Sequence, residues 1–276
     1  MWASFKEQFK ILIKRKEAHF SFFIIMLLIL ANFVAKMNQY EGHDVKNMLN
    51  PFVLVLFSYI NASAYSFYLF QFLPFLIVLP AAFSLIDDLN SGEIVFLRSR
   101  LSSAQYVIGK ALAVFCVTFI VFEIPFLLEI IMYAVSFPSE AMGFTEGWAI
   151  YDDVYIDYVG NILNSRLFIF SPMLFVLVNG IKISLFAAFF AVFSLAFSTL
   201  GIKSKIFLFL PVYVVLYFVS YLPYFFALPF STNYTDYLFA YVDRRSLSIP
   251  GSVFFLFFTG LLSVLFMFRY IRKDCP

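Results

Sequence analysis

Charged residues are scarce in this chain of 276 amino acids. They make up 13% of it, whereas soluble domains average about 25%. Hydrophobic residues instead reach 63%, phenylalanine alone occurs 41 times, and the mean hydropathy is +0.90. A soluble core of this length could not bury so much apolar surface, which excludes a water-soluble globular protein. The formal net charge of +2 says little by itself, because the location of each charge matters more than the total, and we expect no nucleic-acid partner.

Side chains that bind metals or form disulfides are also few. The two cysteines are Cys116, within an apolar run, and Cys275 near the end, so neither a disulfide framework nor metal-ligand spacing is present. The two histidines, His19 and His43, have no partner at ligand spacing. The chain has no GxxxxGK(S/T) phosphate loop, no HExxH and no Gly-x-Ser-x-Gly motif. We therefore expect no catalytic site, no metal and no cofactor bound directly by the chain.

Long apolar runs predict an all-α, polytopic integral membrane protein. The runs are apolar on every side and lack the alternation of barrel strands. Six transmembrane helices are predicted within a single transmembrane domain, 1–276, at about 20–35, 66–86, 106–135, 172–199, 206–222 and 251–268. The third is longer than a bilayer needs, so we expect it to tilt, to kink near Pro125 or to project outward.

The first 18 residues predict an amphipathic helix that does not span the membrane. Two rows of side chains recur there at helical spacing, an apolar row (Trp2, Phe5, Phe9 and Leu12) and a basic row (Lys6, Lys10 and Lys14). Such a helix lies in the headgroup layer with its basic side outward, or it packs on a protein partner. Because a span begins directly after it, the interfacial position is our prediction.

Three further segments are not predicted to cross the bilayer in the ordinary way. The apolar piece at 51–60 is too short at about ten residues. The segment 137–170 is predicted to be an acidic outer loop. The segment 223–250 is interrupted by proline and rich in tyrosine, which is typical of a re-entrant segment before the last helix or of an outer hairpin on the headgroups.

Lysine and arginine residues predict the orientation. With six spans, both termini share one side with the segments 87–110 and 200–205. That side holds thirteen of the 19 cations: Lys6, Lys10, Lys14, Arg15, Lys16, Arg98, Arg100, Lys110, Lys203, Lys205, Arg269, Arg272 and Lys273. Positive charge marks the cytoplasmic side, so both termini are expected to be cytoplasmic.

The connection between the second and third spans, 87–105, is the most informative stretch. Asn90 or Ser91 can cap a short helix whose first turn contains Glu93. The apolar residues Ile94, Leu97 and Leu101 would share one face of that helix, and Arg98 and Arg100 would point away from it. Such a helix suits docking into the groove of a partner, or it simply rests on the membrane. The physical pattern leaves both options open.

The order of residues in this connection resembles the ABC-2 type transporter permease family, the membrane-spanning subunits of ABC exporters. An acidic pair is followed by a Gly-Glu opening, a short apolar run, an Arg-x-Ser turn, a tyrosine and then a lysine. The matching positions are Asp87, Asp88, Gly92, Glu93, Leu97, Arg98, Arg100, Ser102, Tyr106 and Lys110. In that family the segment is the coupling helix that contacts the ATP-binding subunit, and the resemblance extends to the predicted topology.

The resemblance implies a permease subunit in a bacterial plasma membrane. It implies two copies of a separate ABC ATPase, which bind ATP and magnesium, and a second or sister permease. The expected cargo is amphipathic or lipid-like: an antimicrobial peptide, a drug or a lipid. A non-transporting scaffold or sensor subunit is the alternative, and a membrane-embedded enzyme is a weaker one.

Three ionisable residues are predicted to lie within or near the spans, where each needs a partner, water or an edge position. Glu123 and Glu129 are six residues apart, about 120° around a helix, so they form no carboxylate pair. A pathway or gate role is open for Glu123, and a solvated position is expected for Glu129. Lys182 either pairs with one of these carboxylates or extends to the interface.

Overall fold

The computed structural model describes residues 2–45, 48, 50–58, 63–92, 102–138, 165–202, 204–218, 221, 225–226, 233–238 and 249–273. The α-helices are α1 (Trp2–Ile13), α2 (Lys16–Tyr40), α3 (Ala64–Gln71), α4 (Leu73–Val78), α5 (Ser84–Ser91), α6 (Ser103–Ser136), α7 (Ser165–Phe170), α8 (Pro172–Ser198), α9 (Phe209–Tyr213), α10 (Tyr234–Leu238) and α11 (Ile249–Lys273). No strand occurs in these ranges, which confirms the predicted all-α class for the described part of the chain.

Three of these helices are long and apolar enough to cross a membrane. They are α2 with 25 residues, α6 with 34 and α8 with 27, and they cover the predicted first, third and fourth spans. At 1.5 Å per residue α6 is about 51 Å long, well beyond the hydrocarbon core of a bilayer. The chain is therefore described here as a helical membrane protein with three candidate spans.

The predicted second span is not one continuous helix. It consists of α3, α4 and α5, which are separated by turns at Phe72 and at 79–83. Two prolines account for the interruptions, because proline has no N–H to donate and its ring displaces the preceding turn. Pro74 lies in the first turn of α4, where it is tolerated, and Pro80 lies in the turn that follows α4.

The last two predicted spans are only partly matched. The fifth begins as a helical segment of mixed type, Lys205–Phe218, which is too short to cross a membrane on its own. It passes from a 3-10 turn through α9 into a π-helical turn at Val214–Phe218. The sixth falls within α11, a helix of 25 residues.

The helix α6 is the centre of the bundle, and α8 packs along it. Gly180 of α8 sits where a side chain would meet the Phe57 ring at 3.5 Å and the Phe126 Cβ of α6 at 3.7 Å. The Phe57 and Phe126 rings pack at an angle of 39° with their centroids 4.5 Å apart. A small residue on α8 thus admits an aromatic pair between the helices, which fills the core of the bundle.

The described part of the apolar piece predicted at 51–60, residues 51–58, folds into the bundle. Two 3-10 turns, Pro51–Val53 and Leu56–Ser58, replace a regular helix there. The side chains of residues 53 to 57 are at most 2% exposed. Irregular backbone at membrane depth is stable only when protein surrounds it, which is the environment of this broken segment, defined here as residues 50–58.

The amino-terminal helix α1 forms as predicted, with its basic row, Lys6, Lys10 and Lys14, exposed. Its buried face differs in part from the predicted apolar row, because Leu12 of that row is buried together with Ser4 and Gln8. Trp2 is 66% exposed and stacks on Phe5 instead. The reason is steric: α1 lies against α6 at Gly109, where only a small side chain fits.

Candidate functional site

The helix α5 carries two adjacent carboxylates, Asp87 in its first turn and Asp88 directly after it. Two neighbouring negative charges repel each other, so both are stable together only when cations neutralise them. Gly92 ends the helix with φ of 76°, a left-handed conformation that glycine adopts without steric cost. Asn90 and Ser91 form the last turn of α5. The helix that one of them is predicted to cap falls within 93–101, outside the described residues, and stays a prediction.

Asp88 is 5% exposed, and one of its oxygens accepts hydrogen bonds from the Tyr106 hydroxyl and the Lys110 ammonium group of α6. The Lys110 nitrogen also lies 3.1 Å from the Tyr106 oxygen. Both partners are at most 1% exposed. A buried carboxylate is stable only when a cation and further hydrogen bonds compensate its lost hydration, and these two side chains supply both.

Asp87 faces a wetter environment and binds two other cations. Its Oδ2 lies 2.5 Å from Nη1 of Arg15, the residue that precedes α2. Its Oδ1 lies 2.7 Å from Nζ of Lys205, which follows α8. The side chain of Asp87 is 26% exposed, and that of Lys205 is 44% exposed. Water screens such pairs, so each contributes less to stability than the buried Asp88 contact.

Together these six residues form one polar centre, which we call the aspartate cluster: Arg15, Asp87, Asp88, Tyr106, Lys110 and Lys205. It connects the start of α2, the end of α5, the first turns of α6 and the segment after α8. Three cations face two carboxylates in it. A displacement of α5 must therefore move α2 and α6 or break charge-assisted hydrogen bonds.

The structure thus brings together Asp87, Asp88, Tyr106 and Lys110, four of the residues predicted from the motif. Ser102 begins α6 in a reciprocal capping box with Gln105, each side chain bonding the other residue's backbone N–H at 3.3 Å. Four other motif residues lie outside the described residues: Glu93, Leu97, Arg98 and Arg100. The intervening segment 93–101 therefore connects α5 to α6, and the cluster anchors both of these helices.

Sequence reasoning missed Arg15 and Lys205 as partners of the aspartates. The signal was available, because the count of cations had placed both residues on the same side as Asp87 and Asp88. Two adjacent carboxylates on a strongly basic side should have been paired with cations from other connections. Which cations they bind depends on helix packing, which the sequence does not reveal.

The predicted ion pair between Lys182 and an intramembrane glutamate is not formed. Lys182 Nζ is buried with no hydrogen-bond partner in the described part of the chain. Glu123 on α6 is 7% exposed and its carboxyl faces the Ser184 hydroxyl of α8. Its Oε2 is also without a hydrogen-bond partner there. Glu123 therefore faces α8 without forming a bridge to Lys182.

Glu129 is fully buried, so the expectation of a solvated position was wrong. The broken segment folds over it, and the Leu56 N–H donates to its Oε1 at 2.5 Å. Two side chains nearby, Asn32 and Tyr133, continue the polar contacts. The Asn32 amide of α2 donates to the Leu54 carbonyl at 3.2 Å and to the Tyr133 hydroxyl at 3.0 Å. These bonds satisfy backbone groups that the irregular segment would otherwise leave unpaired.

Of the predicted re-entrant segment, 223–250, only a small part is described. The Tyr234 hydroxyl donates to the Phe70 carbonyl at 3.1 Å, and the Tyr217 hydroxyl donates to the Gln71 carbonyl at 2.9 Å. The first bond attaches α10, and the second attaches the π-helical turn, to the C-terminal end of α3, whose last carbonyls have no partner within the helix. The acidic loop predicted at 137–170 lies mostly outside the described residues.

Replacing Gly109 with alanine is expected to detach α1 from α6. A Cβ atom there would lie 2.5 Å from the Ser4 Oγ, 2.9 Å from the Ser4 Cβ and 3.2 Å from the Phe5 backbone nitrogen. Trypsin should then cleave at the exposed Lys6 and Lys10 about tenfold faster, because proteolysis follows the population of the opened form.

The matched control is Gly180→Ala on α8, where the nearest atom is an ordinary 3.5 Å away. It should leave the cleavage rate unchanged. Combining Gly109→Ala with Ser4→Gly removes the two closest clashes and should restore part of the protection. Equal cleavage in Gly109→Ala and the unaltered protein would show that α1 does not depend on this close approach.

Comparisons with protein families, with curated proteins and with solved structures find no match to this chain. The functional argument therefore depends on the chain's own residues and on the aspartate cluster.

Proposed function

We propose that this chain is the permease subunit of an ABC-2 type ABC transporter. It exports an amphipathic or lipid-like substrate, such as an antimicrobial peptide, a drug or a lipid. The energy comes from ATP that a separate subunit hydrolyses with magnesium. The working assembly contains two ATPase copies and a second or sister permease, and six spans cross the plasma membrane with both termini in the cytoplasm.

The observation that carries the proposal is the aspartate cluster. The residues that match the family motif on either side of 93–101 are held together by it, through Asp88 on one side and Lys110 on the other. A coupling segment needs rigid anchors, because a force applied to a freely moving loop would not reach the spans. Here each end of the segment joins a helix whose first or last turn is tied into the cluster.

The cluster also supports a mechanism for transmission. Closure of the two ATPases on ATP would press on 92–103 from the cytoplasm. Asp87 would pass the displacement to α2 through Arg15 and to the segment after α8 through Lys205. Asp88 would pass it to α6, the helix at the centre of the bundle. Rigid-body movement of these helices would then alternate the opening of the pathway.

Gly92→Val is expected to uncouple the chain from its ATPase. Gly92 has φ of 76°, and a β-branched residue is strongly disfavoured there. The segment would leave α5 in a different direction and lose its docking geometry. We expect about tenfold less P-loop ATPase to co-purify with the tagged variant from its native membrane, a change equivalent to about 1.4 kcal/mol of binding.

Gly42→Val is the matched control, since Gly42 has φ of 75° and open space around it, as Gly92 does. It lies just past the other end of α2, so the same backbone strain should leave the amount of ATPase unchanged. If no P-loop ATPase accompanies the unaltered chain, or if Gly92→Val retains the full amount, the chain is a scaffold or sensor and not a transporter subunit.

A further inference from the structure

Glu129 is a fully enclosed carboxyl group whose two oxygens differ in their surroundings. It is 0% exposed. Its Oε1 accepts the Leu56 N–H at 2.5 Å, and its Oε2 has no hydrogen-bond partner among the described residues. An ionised carboxylate with one bare oxygen is strongly disfavoured in an apolar interior. The group must therefore bind something that removes its charge.

No cation of the protein neutralises Glu129 within the described part of the chain. Lys36 of α2 is the nearest cation along that helix, one turn beyond Asn32, and its ammonium group donates to Gln39 at 3.2 Å. Lys182 of α8 makes no ion pair. The broken segment contributes no titratable side chain.

The remaining charged groups lie on the same helix or at the far end of the bundle. On α6 itself the titratable neighbours of Glu129 are Glu123 and Tyr133, neither of which is a cation. The charges of α1 lie near Gly109, about 30 Å away along α6. Those at the end of α11 lie near Thr199, whose hydroxyl donates to the Phe266 carbonyl at 3.3 Å.

A route of polar side chains leads from this carboxyl as far as Tyr133, whose ring is one aromatic contact away from a crevice at the nearer end of the bundle. The Tyr133 hydroxyl accepts from Asn32, whose own oxygen accepts from Ser63 at 2.8 Å, and the Asn32 amide also faces Glu129. The Tyr133 ring stacks on Phe137 with centroids 5.4 Å apart. Phe137 lines an open crevice of about 350 Å³ together with Met37, Asn38, Tyr40, Glu41, Met48, Ser136 and Pro138.

We propose that Glu129 is a proton-binding site that controls the docking of the broken segment. A hydronium ion from the crevice transfers its proton to Oε2 and leaves as water, which makes the carboxyl neutral. In that form Oε1 still accepts the Leu56 N–H, and the segment stays in the bundle. Loss of the proton to water restores the negative charge, which draws water to the site and releases the segment. The acidity of the crevice side therefore sets the conformation of residues 50–58.

This proposal requires only that the bundle is embedded in a bilayer. It would stand even if no ATPase bound the chain. Conversely, a failure of the proton site would leave the aspartate cluster and its coupling role untouched. The experiment is therefore performed on the full chain alone, in lipid nanodiscs.

The first measurement is accessibility of the broken segment. Val55 is 2% exposed, and Val55→Cys in a chain with Cys116→Ala and Cys275→Ser provides a single thiol for a maleimide. After correction for the fraction of thiolate at each pH, the labelling rate should rise about tenfold from acidic to alkaline buffer. A factor of this size is typical of the coupling between two sites. Added Glu129→Gln should keep labelling slow at every pH, because a neutral amide mimics the protonated form.

The matched control is Glu123→Gln, which neutralises the other buried carboxyl of α6 and should preserve the pH dependence. The second measurement is the infrared carbonyl band of a protonated carboxyl group, which should be present at acidic pH and absent from Glu129→Gln. Labelling that does not depend on pH, or a pH dependence that survives Glu129→Gln, overturns the proposal.

A third variant covers the case in which Glu129→Gln fails to fold. Tyr133→Phe keeps the ring that stacks on Phe137 and removes the hydroxyl that links Asn32 to the route. It should shift the midpoint of the labelling profile, because the hydroxyl belongs to the network around Glu129 and affects its protonation equilibrium. An unchanged midpoint would show that this network does not influence the carboxyl and would contradict the proposal.

Discussion

Lys110→Met is expected to destabilise the bundle by about 3–5 kcal/mol, the cost of leaving a buried charge without its partner. Lys110 is 1% exposed and is the cation bound to Asp88, itself 5% exposed. Methionine fills a similar volume, so the loss of stability would come from the unpaired charge of Asp88 and not from a cavity. Thermal unfolding of the purified chain in detergent measures the change.

Two further variants separate the pair from the single charge. Asp88→Asn combined with Lys110→Met removes both charges and keeps an acceptor for the Tyr106 hydroxyl, so it should recover most of the stability. Lys205→Met is the matched control, because that lysine is 44% exposed in its pair with Asp87 and should cost less than about 1 kcal/mol. Equal losses in Lys110→Met and Lys205→Met would contradict the burial argument.

Asp87→Lys should have the largest effect on coupling. It places a third cation against Arg15 and Lys205, whose nitrogens lie 2.5 Å and 2.7 Å from the present carboxylate oxygens. The start of α2 and the segment after α8 would be pushed away from α5. We expect the ATP hydrolysis rate of the assembled transporter to fall about tenfold, within the range of ordinary allosteric coupling.

The result can be tested by restoring the opposite charges. Arg15→Glu and Lys205→Glu, added to Asp87→Lys, recreate both attractions with reversed signs and should recover much of the hydrolysis rate. Asp44→Lys changes an exposed carboxylate beyond the other end of α2 and should have no effect. If the transporter with Asp87→Lys hydrolysed ATP at the normal rate, the aspartate cluster would not transmit movement between the ATPase and the spans.

The sequence predicted what hydropathy and spacing determine directly. Apolar runs predicted α2, α6 and α8, because each is long and uninterrupted by proline except at Pro125. The same reasoning overestimated the second span, where Pro74 and Pro80 divide the run into separate helices. A hydropathy average does not register the loss of a single N–H donor.

The residues of the candidate site on α5 and α6 could be predicted from the sequence, but their contacts with other segments could not. Asp88, Tyr106 and Lys110 belong to one motif in the sequence, and they meet in space. The position of Glu129 could not be inferred, because its burial depends on the broken segment folding back from more than seventy residues earlier. Contacts of that range follow from packing and leave no local periodicity.

The order in which the chain is synthesised gives the polar contacts of α6 a further meaning. The partners of Lys110 and Glu129, namely Asp88 and Leu56, both precede α6 in the chain. A nascent α6 can therefore leave the translocon into a half-bundle that already offers these partners, which lowers the cost of inserting its charges. Of the three charged side chains of α6, only Glu123 has its polar neighbour, Ser184, on the later helix α8. The amino-terminal half is thus a unit of assembly, on which α8 and α11 are added afterwards.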